Sequence, residues 1–349
     1  MEKVRVGIIG FGSIGKFHIE RFKKLPNAEV IAVCDIDKKE LEYARTKYGI
    51  ELLFEDYHDL LAKENIDAVL ICLPNRLHAP VTIEALKAGK HVLCEKPPAL
   101  TAKEVKEMFE ASKKYGKKLL IGLTMRFRNR SQVLKSYIDG GALGEVYYAK
   151  CGYLRRSGIP GMGSWFTRKS EAGAGPLYDI GVHVLDLTFW LMNNFKAEKV
   201  LASTYAKFGP QGKGLGRWGK PVPGGPFDVE DLAAAFIKMR NGATVFLEVS
   251  WAAHVGESRI YSLLLGDKGG ADYASMTIYT EEKGTMIDKK LHYVESDPYL
   301  AEAQHFVECV LHDKEPITKP DEMIWLQATL EAALKSAETG REVRVEELI

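Results

Sequence analysis

The sequence predicts an α/β chain in which a doubly wound parallel sheet is followed by an α+β domain with a large open antiparallel sheet. Three observations predict it. Short apolar runs alternate with helix-period segments up to about residue 123, the pattern of repeated βαβ units. The first apolar run leads at once into Gly10-Phe11-Gly12-Ser13-Ile14-Gly15 and then into a helical segment. After Gly122 the pattern changes to long alternating runs separated by tight turns such as Asn241-Gly242, as antiparallel strands require.

The first run, Val4-Arg5-Val6-Gly7-Ile8-Ile9, reads as a strand, and 16–24 as an amphipathic helix. Between a strand and a helix, G-x-G-x-x-G has a mechanical meaning. The first glycine permits the tight turn, the second lets backbone approach a pyrophosphate, and the third lets helix and strand pack closely. Amides at the helix start then face the phosphates. Gly10, Phe11, Gly12, Ser13, Ile14 and Gly15 therefore form the candidate dinucleotide loop. Asp35 ends the second apolar run, 30–34, twenty positions after Gly15. A carboxylate there accepts hydrogen bonds from the adenosine ribose. It also favours NAD over NADP, because repulsion of a 2′-phosphate at about 5 Å and an effective dielectric constant of about 20 is worth roughly 3 kcal/mol. Lys38 and Lys39 stand close enough in sequence to offset part of this.

A helix over 38–47, a short strand over 52–54 and a helix beginning at 59–62 come next. The fully apolar strand 68–72 ends in Leu73, Pro74 and Asn75, with His78 just beyond. A helix over 80–88 leads to the strand 91–94 and then to Cys94-Glu95-Lys96-Pro97. A lysine leaving a parallel strand sits at the carboxyl edge of the sheet, where such folds place ligands. Pro97 restricts the backbone on either side of the bond and so aims the ammonium. A helix over 103–115 and a strand over 119–121 close this half. The loops after the first, fourth and fifth strands all leave strand C-termini and share one edge.

In the second half, Arg126 and Arg128 precede a helix over 132–138. Strands are predicted at 145–154, 200–208, 231–239, 243–251, 259–265, 273–280 and 286–294, with closing helices over 297–311 and 322–338. An open sheet leaves one broad face to cover, and self-association would cover it. Residues 155–176 are rich in Gly, Ser and Arg and carry Trp165 and Arg168. The Gly/Pro-rich basic loop 209–225 is expected to be a flexible excursion. The densest chemistry lies in 173–186, where Asp179 and His183 are spaced to share a helix face. A histidine titrating near neutral pH can act as a general base, and a carboxylate one turn earlier can orient it or hold a substrate hydroxyl. An ordinary helix with polar residues facing solvent has the same pattern.

Composition narrows the function classes. Lys+Arg 48 against Asp+Glu 47 gives net charge +1, which argues against nucleic acid or an anionic membrane surface as a partner. No run is long enough to span a bilayer. The N-terminal apolar run is broken by Gly7, Gly10 and Gly12 and reads as a strand, not a signal peptide. Five scattered cysteines show neither zinc spacing nor a disulfide framework, so a metal is not expected and a cytoplasmic location is.

Taken in order, the glycine loop with Asp35, Pro74-Asn75 with His78, Glu95-Lys96-Pro97, and 173–179 with His183 resemble the glucose-fructose oxidoreductase / inositol dehydrogenase (GFO/IDH/MocA) family over nearly the whole chain. The resemblance implies a Rossmann domain over 1–123 and a substrate-binding and oligomerisation domain over 124–349, assembled as a homodimer or homotetramer. It implies that Lys96 is the family's catalytic lysine and that Asp179 and His183 are its D-x-x-x-H pair. Gly10, Phe11, Gly12, Ser13, Ile14, Gly15, Asp35, Leu73, Pro74, Asn75, His78, Glu95 and Lys96 would bind the cofactor. Arg126 resembles an arginine that follows the family's last Rossmann strand, while Pro98 departs from the usual Leu or Met.

The implied activity is NAD-dependent oxidation or reduction of a sugar, polyol or derivative. His183 would take the hydroxyl proton. Lys96 would hydrogen-bond the developing alkoxide and depress the histidine pKa by like charge. Asp179 would orient both. Arg126, Trp165 and Arg168 are the substrate candidates: an aromatic face suits a sugar ring, and arginine suits carboxylate or phosphate. Two other classes share these features, an NAD-using glycosidase that oxidises its sugar transiently and a dinucleotide-binding metabolite sensor. Lys96, Asp179 and His183 together argue against pure sensing, and accumulation of reduced nicotinamide separates dehydrogenase from glycosidase.

Overall fold

A computed structural model describes residues 3–349, which divide into two units. The first runs to Ala99, resumes over Lys103–Leu123 and takes in Asp297–Met323. Its elements are β1 (Val4–Ile9), α1 (Ser13–Phe22), β2 (Ala28–Cys34), α2 (Lys38–Tyr48), β3 (Leu52–Phe54), α3 (Tyr57–Leu61), β4 (Ala68–Ile71), α4 (His78–Lys87), β5 (His91–Glu95), α5 (Ala102–Tyr115) and β6 (Leu119–Gly122). The strands pair in the order β3-β2-β1-β4-β5-β6, parallel throughout. Val69, Leu70, Ile71, Val92, Leu93 and Cys94 are all fully buried, because a parallel sheet covered on both faces takes continuous apolar runs. Strand order reverses between β1 and β4, and the chain leaving both strands opens onto that crevice. Local signals set the helix ends. Asp37 accepts from the Lys39 amide at the start of α2, and Gly49 ends it at φ 73°, an N-cap and a left-handed C-cap.

The second unit contains α6 (Asn129–Asp139), β7 (Val146–Leu154), α7 (Lys169–Ala172), α8 (Val182–Leu191), β8 (Ala197–Tyr205), β9 (Leu232–Met239), β10 (Thr244–Ser250), β11 (Arg259–Gly266), β12 (Gly269–Asp272), β13 (Thr277–Glu282) and β14 (Thr285–Lys290). The chain then rejoins the first unit as α9 (Pro298–His312), where Phe17 meets Tyr299 edge-on at 4.7 Å and Arg21 pairs with Asp297 at 3.1 Å. The sequence predicts this helix as part of the second domain, over 124–349, whereas its contacts join it to the first unit. Most of α10 (Pro320–Thr339), and then β15 (Val343–Arg344), complete the second unit.

Nine strands form one sheet, β14-β13-β12-β11-β7-β10-β9-β8-β15. It is mixed and not purely antiparallel, because β7 and β10 run parallel. The reason is topological. β10 and β11 run in opposite directions with β7 between them, so β7 is antiparallel to β11 and parallel to β10. The predicted strand over 273–280 begins instead as a turn after the short β12, with Met276 at φ 53°, and only its second half belongs to a strand, β13. Alternation sorts the faces. Val200, Ile237, Val245, Ala149 and Leu264 lie in register across five strands and are fully buried. On this side α8 packs, with the Thr188 and Ser262 hydroxyls 2.9 Å apart. The neighbouring row, Leu201, Phe236 and Phe246, is exposed at 52%, 40% and 38%.

Candidate active site

In the first unit the glycine loop is fixed by contact as much as by conformation. Gly10 has φ +91°, and a Cβ there would lie 2.4 Å from the Cys72 carbonyl oxygen. A Cβ on Gly15 would lie 2.3 Å from the Gly10 carbonyl oxygen. Gly12 differs: no protein atom lies within 4 Å of where its Cβ would project, and no side chain caps the start of α1. Open space beside the uncapped amides of a helix start suits an anionic phosphate bridge, so this loop fits a dinucleotide. Phe11 itself is buried, edge-on to Tyr48, so it serves the loop through its backbone. Its amide donates to Asp35 Oδ2 at 2.6 Å, and the Asp37 amide donates to Asp35 Oδ1 at 2.8 Å. A carboxylate has about four lone-pair sites, which leaves acceptor capacity for ribose hydroxyls. Lys38, one of the cations set against Asp35, pairs with Glu55 at 3.1 Å.

β4 exits through Leu73 and Pro74 into a single 3₁₀ turn, Asn75–Leu77. Asn75 is buried. His78, expected to bind cofactor, is 1% exposed, with Nδ1 2.7 Å from the Pro97 carbonyl oxygen and Nε2 2.8 Å from that of Leu73. It braces two loops. The Glu95 carboxylate is likewise buried, accepting from His18 Nε2 at 2.7 Å and from the Lys96 amide at 3.2 Å, so its side chain serves the loop and not a ligand. Burial alone would raise the Glu95 pKa; His18 and Lys96 bring it below the usual carboxylate value. Lys96 is half-buried, between the buried Glu95 and Pro97.

In the second unit, the segment carrying Asp179 is not a regular α-helix. Leu177–Gly181 forms a π-helical turn that runs into α8, which carries His183. Such widened turns recur at functional sites. Both Glu230 oxygens hold the start of this turn, accepting from the Gly175 amide at 2.9 Å and the Leu177 amide at 3.0 Å. Asp179 Oδ2 accepts from the Trp251 indole at 2.8 Å. Tyr178, Ile180, Val182 and Val184 are buried, whereas Asp179 and His183 are half-buried. The two polar side chains are thus the accessible positions of an otherwise apolar stretch, one of them oriented by a fully buried indole.

The substrate candidates fare unequally. Arg126 cannot serve as expected: it is fully buried, and its guanidinium forks onto Asp186, also fully buried, through Nη2 at 2.6 Å and Nε at 2.9 Å. Trp165 is half-buried and stacked on Phe166, centroids 3.8 Å apart. Arg168 Nη2 donates to the Gly163 carbonyl at 3.3 Å. The loop 209–225 is not a free excursion. Its backbone is bonded to the segment bearing Trp165, from Ile159 to Gly214 at 2.8 Å, Gly161 to Trp218 at 2.8 Å and Val222 to Met162 at 2.8 Å. Asp231 anchors its base, accepting from the amides of Lys207, Phe208 and Gly209.

Sequence reasoning missed His18, Glu230 and Trp251. His18 carried a signal, a polar residue on the buried stripe Gly15, His18, Ile19 and Phe22 of α1. Glu230 and Trp251 bond to residues 53 or more positions away, so nothing local marks them. Among the described residues, no group of three or more His, Cys, Asp or Glu is placed to hold a metal.

Comparison with known proteins identifies the family. Residues 4–123 match the oxidoreductase family with an NAD-binding Rossmann fold, and 131–272 match the GFO/IDH/MocA C-terminal domain. The chain is 34% identical to a D-glucoside 3-dehydrogenase of Escherichia coli over 98% of this chain and 97% of that one. It is 28% identical to a myo-inositol 2-dehydrogenase of Thermotoga maritima over 99% and 100%. A levoglucosan dehydrogenase solved with NADH and L-sorbose shares the fold at TM-score 0.85 and 24% identity, covering 99% of both chains. The chain belongs to the GFO/IDH/MocA family of oxidoreductases, and its first unit is that family's NAD-binding Rossmann domain.

Proposed function

We propose that this NAD-dependent sugar or polyol oxidoreductase acts on a secondary hydroxyl of a six-membered ring, with His183 as general base, Lys96 as the stabiliser of the alkoxide, and Asp179 as the group that orients substrate. The observation that carries the reading is the pair Asp179 and His183, half-exposed on a buried stretch, with Asp179 fixed by Trp251. The names of the relatives carry a glucoside, levoglucosan and myo-inositol, each a six-membered ring with secondary hydroxyls.

Bound NAD supplies the hydride acceptor. The loop of Gly10, Phe11, Gly12, Ser13, Ile14 and Gly15 would hold its pyrophosphate, and Asp35 its adenosine ribose. Leu73, Pro74 and Asn75 would line the same edge. His183 accepts the hydroxyl proton, which makes the carbon a better hydride donor. Lys96 donates a hydrogen bond to the oxygen as negative charge develops there. Trp165 offers a ring face to the sugar, and Arg168 a cation beside it. No step asks for a metal.

We further place the open sheet face, with Leu201, Phe236 and Phe246, against a second copy of the chain as a homodimer or homotetramer. Five buried free cysteines fit a reducing cytoplasm.

The test is a panel of methyl glucosides, levoglucosan, myo-inositol and acyclic polyols with NAD, read by nicotinamide absorbance and product analysis. The expected outcome is one ketone formed per NAD reduced, with cyclic substrates preferred. Sugar release without reduced nicotinamide would assign a glycosidase. Tight NAD binding with no turnover on any substrate would assign a sensor.

A further inference from the structure

We propose that His18 and His78 are positioning residues for Lys96, one fixing the residue before it and the other the residue after it. The inference rests on the assignment of Lys96 above. It starts from three bonds in the first unit that share one short stretch. His18 Nε2 meets Glu95 Oε1 at 2.7 Å, and Glu95 Oε2 accepts from the Lys96 amide at 3.2 Å. On the other side, His78 Nδ1 meets the Pro97 carbonyl oxygen at 2.7 Å.

Neither histidine is reachable from solvent: the His18 side chain is 0% exposed and His78 1%. Neither can therefore contact substrate, and each acts through its partner. Each also reaches back to a segment of the cofactor edge. His18 sits in α1, three residues after Gly15 of the glycine loop. His78 Nε2 meets the carbonyl of Leu73, on the loop that leaves β4. The backbone on both sides of Lys96 is thereby tied to the two loops that flank the switch point of the sheet. Groups whose misplacement by an ångström costs catalysis need such support.

Chemistry tells which ring nitrogen matters at each position. The Glu95 carboxylate accepts only, so the His18 ring must donate from Nε2. At His78 both ring nitrogens face carbonyl oxygens, Pro97 at Nδ1 and Leu73 at Nε2, and only the contact at Nδ1 reaches the residue after Lys96. Gln places an amide N–H near the Nε2 position of a histidine, and Asn places one near Nδ1. The two sites therefore have opposite preferences. His18→Gln and His78→Asn keep the bond that supports Lys96, whereas His18→Asn and His78→Gln lose it. A role in packing alone would rank Asn and Gln alike at both sites.

The four variants should be measured by steady-state kinetics with the best substrate of the panel, alone and combined with Lys96→Met. NAD titration and thermal melts confirm that each protein is folded and loaded. His18→Gln and His78→Asn are expected within about threefold of the parent kcat. His18→Asn and His78→Gln are expected to lose about tenfold or more in kcat with little change in the sugar KM, as befits an interaction felt mainly in the transition state. In the Lys96→Met background that loss should vanish, since residues acting through one group are not additive. The same ranking of Asn and Gln at both sites, or a loss that multiplies in full on Lys96→Met, would overturn the proposal. Full activity of Lys96→Met alone would instead remove Lys96 from the mechanism, and the proposal with it.

Discussion

At the scale of single residues, burial decides what each ionisable group does. Arg126 and Asp186 show one outcome, a pair with no solvent on either side. Removing one member of such a pair leaves a buried charge, which costs about 3–5 kcal/mol, so Arg126 acts on stability. Glu302 on α9 shows another. Both its oxygens are buried and without a hydrogen-bond partner among the described residues, and burial, then the charge of Glu95, raise its pKa well above the ordinary value. The folded protein therefore holds this proton to higher pH than the unfolded chain does. The stability linked to it is complete below the unfolded pKa, about 4.3, and is lost as pH rises through the folded one. Glu302→Gln abolishes this dependence. Thermal melts from about pH 5 to pH 9 should show the variant gaining on the parent as pH rises. A constant offset across that range would contradict the assignment.

At the scale of elements, the glycine loop gives the sharpest contrast. Gly15 has no room for a Cβ because of the protein itself, whereas Gly12 has room until a ligand arrives. Gly15→Ala should therefore lower the melting temperature and abolish NAD binding together. Gly12→Ala should leave the melting temperature within a few degrees of the parent while weakening NAD by about tenfold or more, because the glycine serves close approach to the pyrophosphate. Calorimetry showing parental NAD affinity in Gly12→Ala would refute this use of the loop. This element was legible because its chemistry is contiguous: strand, glycines, helix and Asp35 lie in 35 residues. The Asp179 turn was legible only in its residue types. Its widening and its support depend on Glu230 and Trp251 from distant parts of the chain, which no local pattern carries. The same holds for Arg126, whose partner Asp186 lies 60 positions on. The loop 209–225 looked flexible from its glycines and prolines, yet its order comes from backbone bonds to 158–162, which composition does not encode.

At the scale of the whole molecule, alternation along β8, β9 and β10 told which side chains face outward, because the side-chain period of a strand is two. It could not tell that β7 would insert between β10 and β11, since strand order is a property of long-range pairing. The exposed row Leu201, Phe236 and Phe246, with Phe236 edge-on to Phe246 at 5.0 Å, is an apolar patch of the kind that marks association. Light scattering should find a dimer or tetramer at micromolar concentration. Phe236→Asp with Phe246→Lys should dissociate it without unfolding the sheet, whose opposite row carries the core. An oligomer unmoved by this double substitution would place the contact elsewhere.

The central claim is that His183 removes the proton that accompanies hydride loss, and the most direct measurement is turnover of His183→Asn set beside its NAD affinity. The variant should bind NAD as the parent does, because the glycine loop and Asp35 are untouched, while turning over about 10²–10⁴-fold more slowly, the usual cost of a lost general base. Parental turnover in His183→Asn, at saturating NAD and sugar, would contradict the account.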